Sequence, residues 1–199
     1  MTVIKMIRKE LLERLYFSDK KSMQEIADLL GFSLHKVAYW VEKYKIKSRS
    51  RSEAIYIKHN PKGDPFSFKP PETKGEAILF GMGLGLYWGE GTKASKNSVR
   101  LGNTDPKLLL KFIEFLERFY GIKRKGMKFS LQVFSDVKPQ KSLDFWAKSL
   151  KINSAQFNKI IVTKSGSLGT YRKKTEYGVL TVMFHNTKLR NLIVATLPM

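Results

Sequence analysis

The sequence predicts an α+β fold preceded by a small all-α unit, and three observations carry this prediction. Apolar residues recur with a helical period through residues 5–46. Residues 76–199 mix helical periods with runs that alternate apolar and polar residues, most clearly over 127–134. Four prolines, the first at Pro61 and the last at Pro71, separate these parts. We therefore expect a helical unit over 1–48, a basic, Pro-containing linker over 49–75 and an α+β domain over 76–199.

The composition indicates a polyanionic partner. The 199 residues include 37 Lys and Arg against 17 Asp and Glu, a formal charge of +20, and basic residues are in excess on both sides of residue 75. Each basic side chain that neutralises a phosphate releases a counterion, so nucleic acid is the first candidate and a generally cationic surface is the alternative. With no Cys and three scattered His, we expect no disulfide, thiol catalysis or structural zinc. The charged N-terminus and the absence of a long apolar run predict a cytoplasmic protein with no membrane partner.

Residues 22–44 carry the signals of two helices joined by a short turn. Ser22 and Glu25 form a capping box, and Gly31 provides the turn that ends this helix. Ser33 can cap the next helix, so the segment resembles a DNA-binding helix-turn-helix. The resemblance implies that the last helix faces the major groove. The DNA contacts expected from this helix and the start of the linker are His35, Lys36, Tyr39, Arg49 and Arg51. A three-helix module that packs on the rest of the protein is the alternative.

An apolar stretch over 76–91 predicts a helix with an unusual number of glycines. Each interior Gly costs a helix about 1 kcal/mol relative to Ala, so four of them need a compensating reason. Gly81, Gly85 and Gly89 are four residues apart and share one face. Such a bare face allows another helix to approach backbone to backbone. We therefore expect a helix–helix interface here, with Glu90 close to the terminal acid of the partner helix.

The run GLGLYWGEG over 83–91 resembles the nine-residue motif of the LAGLIDADG homing endonucleases. In that family two such helices pack at a twofold or pseudo-twofold axis, and the last acid of each binds divalent metal at the scissile phosphates. The resemblance implies that Glu90 is the metal ligand, with Gly89 beside it, and that Trp88 replaces the inner acid. Because the chain has one copy of the motif, activity implies a homodimer with Mg²⁺ or Mn²⁺. The alternative is that Glu90 only caps a packed helix.

The resemblance also implies a saddle-shaped mixed αββαββα fold. Asp105 and Pro106 open an amphipathic helix, which would be an extra helix between the first two strands. A basic segment over 165–174 joins the last two strands. The periodicity predicts strands over 98–103, 127–134, 157–164 and 176–185, and helices over 143–150 and 186–197.

A sheet of this kind presents its concave face to duplex DNA. Phosphate or base contacts are expected from Lys93, Arg100, Lys128, Gln132, Arg172, Lys173 and Lys174. Lys159 or Lys164 would stabilise charge beside Glu90 during catalysis. The resemblance therefore implies a site-specific double-stranded DNA endonuclease that acts as a metal-dependent homodimer. The alternative is a transcription regulator that uses the same fold to bind DNA without cutting it.

Overall fold

The computed structural model describes residues 6–165 and 175–198, and the chain divides after Pro65 into two units. The boundary lies inside the segment that the sequence predicts as a linker. Part of that segment is helical, since Ser50 caps a helix by accepting the backbone N–H of Glu53 at 3.2 Å. No helix in either described range is long and apolar enough to span a membrane.

The first unit consists of short helices around one small core. A π-helical turn, Arg14–Ser18, continues the first helix, and the helices themselves are α1 (Lys9–Glu13), α2 (Met23–Leu30), α3 (Leu34–Lys43) and α4 (Arg51–His59). The predicted capping box is confirmed, because the Ser22 N–H donates to the Glu25 carboxylate at 2.7 Å and the Glu25 N–H donates to the Ser22 hydroxyl at 3.2 Å. Gly31 ends α2 with a φ of +66°, which favours glycine. Ile26, Val37 and their buried neighbours fill the core between these helices.

In the residues that the structure describes, the second unit contains helices and one mixed four-stranded sheet, so the α+β prediction is confirmed. Its elements are α5 (Lys74–Glu90), β1 (Val99–Asn103), α6 (Pro106–Tyr120), β2 (Lys128–Phe134), α7 (Pro139–Leu150), β3 (Ile161–Thr163), β4 (Val179–Phe184) and α8 (Thr187–Ala195). Pro139 occupies the first turn of α7, so this helix begins before the expected residue 143. The strand expected over 157–164 is shorter, because Ser154–Gln156 forms a 3₁₀ turn and Phe157 makes only an isolated bridge to Phe129.

The strand order in the sheet is β1-β4-β2-β3. Strand β4 is antiparallel to both β1 and β2, whereas β3 is parallel to β2. One further bridge, between Gly91 and Leu101, lies on the free side of β1. Alternate residues such as Leu101, Leu131 and Val182 are fully buried against the helices. The opposite face, called the outer face below, carries Arg100, Gly102, Lys128, Ser130, Gln132, Val179, Thr181 and Met183.

Candidate functional site

Helix α5 begins with a cap that also ties it to α6. The Thr73 hydroxyl accepts the Glu76 N–H at 3.2 Å. The Glu76 carboxylate accepts the Glu72 N–H at 2.8 Å and pairs with the Arg118 guanidinium. These hydrogen bonds, the backbone one first, lower the pKa of Glu76. The start of α5 is therefore fixed against α6.

One face of α5 is packed so closely that it requires a glycine. A Cβ placed on Gly83 would lie 2.1 Å from Cγ of Phe115, a fully buried ring of α6. One turn further on, the ring of Tyr87 stacks on Phe112 with a 6.0 Å separation of the centroids. Gly83 therefore allows the two helices to approach each other.

A second face of α5 is open. Gly81, Gly85 and Gly89 lie on it, and a Cβ added to any of them would meet no atom within 4 Å. Three large apolar side chains beside them are exposed: Ile78 at 58%, Met82 at 44% and Trp88 at 50%. Isolated exposed apolar residues are common, but an aligned set around bare backbone is typical of a contact surface. This set of six residues is called the glycine face below.

The C-terminal end of α5 presents two oxygen groups. Glu90 is exposed, and the Gly89 carbonyl accepts no hydrogen bond from residues 6–165 or 175–198. The preceding carbonyls are occupied: Tyr87 accepts the Gly91 N–H at 2.9 Å, and Trp88 accepts the Lys93 ammonium. The Lys93 ammonium therefore lies at the C-terminal end of α5.

A divalent cation needs about six oxygen ligands, and one chain does not supply them. In the described part of the chain, no three His, Cys, Asp or Glu residues lie together. The Glu90 carboxylate and the Gly89 carbonyl have the right chemistry for half of a site. A second chain and the phosphate oxygens of a substrate would have to provide the remaining ligands.

The loop after α5 is held on both sides. The Thr92 N–H donates to the Arg100 carbonyl at 2.9 Å, which continues the pairing that begins at Gly91. From α8, the Arg190 guanidinium donates to the Lys93 carbonyl at 2.5 Å. The loop that carries Lys93 is therefore fixed between β1 and α8.

The outer face brings several of the predicted nucleic-acid contacts together. Arg100 and Lys128 flank Met183 in one row across the strands, and Gln132 lies further along β2, where its amide donates to the Thr163 hydroxyl at 3.1 Å. His185 follows β4 at the Arg100 end. Burial, and to a lesser extent the Arg100 charge, lowers the pKa of His185. This end of the outer face is positively charged.

Not all of the predicted residues lie near Glu90. Lys159 and Lys164 flank β3 at one edge of the sheet, whereas Glu90 precedes the bridge at the other edge. Three strand spacings of about 4.8 Å separate these edges, so one chain does not place either lysine beside Glu90. The structural reason is the order β1-β4-β2-β3, which the sequence does not reveal. Arg172, Lys173 and Lys174 lie outside the described residues.

The first unit presents part of the predicted DNA contact. His35 and Tyr39 are exposed one turn apart on α3, while the Lys36 ammonium lies 4.4 Å from the centre of the Phe32 ring. Arg51 is exposed at the start of α4. Arg49 instead serves the unit itself: its guanidinium donates to the carbonyls of Tyr16 at 2.6 Å, Lys21 at 2.5 Å and Lys20 at 3.2 Å. The predicted phosphate contact of Arg49 would compete with these three hydrogen bonds.

Sequence reasoning did not identify the role of Ser98. This residue is fully buried before β1, and its hydroxyl accepts the Arg100 Nε–H at 2.8 Å. The two residues are separated by one position, as side chains on the same side of an extended strand are. This spacing, together with a serine at the start of an apolar strand, is the sequence signal that could have indicated the contact between Ser98 and Arg100.

No model of a protein family, no curated protein and no solved structure matches this chain. The chemistry available to it therefore follows from the residues above. They offer an open helix face, two oxygen groups at its end, and a sheet face that carries Arg100 and Lys128.

Proposed function

We propose that the chain is a site-specific double-stranded DNA endonuclease of the LAGLIDADG homing type, active as a homodimer. The glycine face of α5 carries this proposal. Bare backbone at Gly81, Gly85 and Gly89 suits the close approach of a second α5, and this approach would bring two copies of Glu90 together at the end of the helices.

The order of the elements supports the proposal. The bridge at Gly91 adds a short extended segment before β1, so the second unit begins helix, strand, strand, helix. If α7 and β3 are treated as an insertion between β2 and β4, the unit ends strand, strand, helix, with β2, β4 and α8. This gives the αββαββα order of the family. The insertion then lies in the second half of the fold, and not between the first two strands as the sequence suggested.

The charge and the oxygen groups support the same function. A formal charge of +20 favours duplex DNA as the partner, and exposed His35 and Tyr39 on α3 suit a helix-turn-helix that adds affinity. In a dimer, two Glu90 carboxylates and two Gly89 carbonyls would hold Mg²⁺ or Mn²⁺ beside a phosphate. A bound divalent ion supplies an activated water and stabilises the leaving oxygen. Lys93 would bind the adjacent phosphate from its fixed loop.

The oligomeric state tests this proposal. Gly85→Leu places a large side chain in the centre of the glycine face, and sedimentation should change from dimer to monomer at micromolar concentration. Ala155→Leu is the matched control, because it adds the same exposed side chain in the 3₁₀ turn before β3, away from α5. Unmutated protein that sediments as a monomer both with and without DNA would contradict the proposal.

A DNA-binding regulator with the same fold is the second candidate. Trp88 replaces the inner acid of the motif, and Glu90 is then the single carboxylate of its last turn. This regulator would use the same dimer and the same outer face but would not cut DNA. Cleavage of a selected site in Mg²⁺ distinguishes the two functions.

A further inference from the structure

Arg100 is held at one end of its guanidinium and open at the other. Its Nε–H donates to Ser98, and the Ser98 hydroxyl lies 2.7 Å from the hydroxyl of Ser95, so a chain of two serines fixes the arginine. Nη1 and Nη2 have no hydrogen-bond partner in the two described ranges. A guanidinium fixed through Nε presents its two terminal nitrogens as a rigid pair of donors.

The row of the outer face next to Arg100 consists of small, uncharged residues. The next row along the strands is Gly102, Thr181 and Ser130. A Cβ on Gly102 would lie 2.8 Å from the Thr181 hydroxyl oxygen, so this position stays without a side chain. Nothing in this row extends beyond the arginine, and a base edge can approach its donors.

The width of the face suits one groove of duplex DNA. Arg100 and Lys128 lie two strands apart, which corresponds to about 10 Å at the usual strand spacing. The major groove is about 12 Å wide and admits a two-stranded ribbon. Both side chains can therefore enter the same major groove, where base edges and not phosphates face the sheet.

From this geometry we infer that Arg100 is a specificity-determining residue that recognises a guanine in the major groove, with Ser98 as its positioning residue. Guanine presents O6 and N7 as a pair of acceptors, and arginine is the usual partner of that pair. A phosphate also offers two acceptor oxygens, so the experiment must separate the two sources. The inference rests on the proposed binding of duplex DNA.

The test selects binding sites for the full chain from a duplex library with random sequence. The unmutated dimer should enrich one invariant guanine in each half-site, and replacing the guanine of one half-site should weaken binding about 5- to 160-fold. For Arg100→Ala the preference at that position should fall to about 1-fold, with affinity for the guanine-free sites unchanged. Lys148→Ala removes an exposed charge of helix α7 and should leave the preference intact.

Ser98 variants test the positioning role. Ser98→Ala should reduce the guanine preference while the salt dependence of binding stays the same, and Ser98→Thr should restore the preference because it keeps the hydroxyl. A thermal melt of each variant shows whether the fold is retained. Loss of affinity in Ser98→Ala without loss of preference would overturn this role.

Two results would overturn the inference while the proposed function stands. In the first, Arg100→Ala protein selects the same sequences as the unmutated protein, with unchanged preference at every base. The other is a uniform loss of affinity for all sequences, with a salt slope reduced by about one for each chain of the dimer, which identifies a phosphate contact. A failure of the unmutated protein to bind any duplex would overturn the proposed function together with the inference.

Discussion

The two kinds of glycine in α5 give opposite responses to the same substitution. Replacing an interior helical Gly by Ala gains about 1 kcal/mol of helix stability where the added methyl meets nothing. Gly85→Ala is such a position, because no atom lies within 4 Å of the new Cβ. At Gly83 the methyl would lie 2.1 to 2.7 Å from three atoms of Phe115. The clash includes the Cβ of Phe115, so the cost lies at the upper end of the usual range for overpacking, about 2–3 kcal/mol. After the gain of about 1 kcal/mol in helix stability, we expect a net loss of about 1–2 kcal/mol.

The effect of Gly85→Ala on stability should also depend on protein concentration. In a dimer the methyl at Gly85 enters the interface, so Gly85→Ala should stabilise the chain at nanomolar concentration and lose that advantage at tens of micromolar. Urea unfolding followed by tryptophan fluorescence at both concentrations measures this. A Gly83→Ala protein as stable as the unmutated one would refute the packing argument. A Gly85→Ala effect that is independent of concentration would refute the interface.

Three further predictions concern the first unit and the base of α5. Removing residues 1–65 should weaken DNA binding and flatten its salt dependence, because fewer phosphates are neutralised; an unchanged salt titration would make the first unit a packing module. Arg49→Ala leaves three carbonyls without their charged donor, so the free energy of unfolding of the first unit should fall by about 2 kcal/mol or more, and its melting temperature should fall with it. An unchanged melting temperature would contradict a stabilising role for these hydrogen bonds. Glu76→Gln should destabilise the protein at pH 7. Because the folded protein lowers the pKa of Glu76 from its usual 4.5, this carboxylate stabilises the fold above that value and stops doing so as the pH falls through the folded pKa. The difference between Glu76→Gln and unmutated protein should therefore shrink as the pH falls below 4.5, and a difference that is constant with pH would contradict the role of the charge.

Local signals in the sequence predicted the elements that depend on a few neighbouring residues. The capping box of Ser22 and Glu25 and the turn at Gly31 are such signals, because the hydrogen bonds and the φ angle involved lie within one helical turn. The shared face of Gly81, Gly85 and Gly89 also follows from helix geometry alone.

Long-range packing accounts for what the sequence did not predict. Which glycine of α5 is packed depends on Phe115, more than thirty residues later in the chain. The position of β4 between β1 and β2 likewise depends on pairings between distant segments, and it places Lys159 and Lys164 away from Glu90. The structural role of Arg49 could not be predicted for the same reason, because its three carbonyl partners lie about thirty residues earlier in the chain.

Cleavage by a Glu90 variant tests the central claim most directly. The full chain is incubated with a plasmid library of random sites in Mg²⁺, and newly formed DNA ends are sequenced. The unmutated protein should produce ends at one recurring site on both strands. Glu90→Gln, which keeps the shape and removes the charge of the side chain, should bind that site equally well and cut it slower by orders of magnitude. Tight binding of a selected site by the unmutated protein, with no new ends in Mg²⁺ or Mn²⁺, would contradict the endonuclease and favour the regulator.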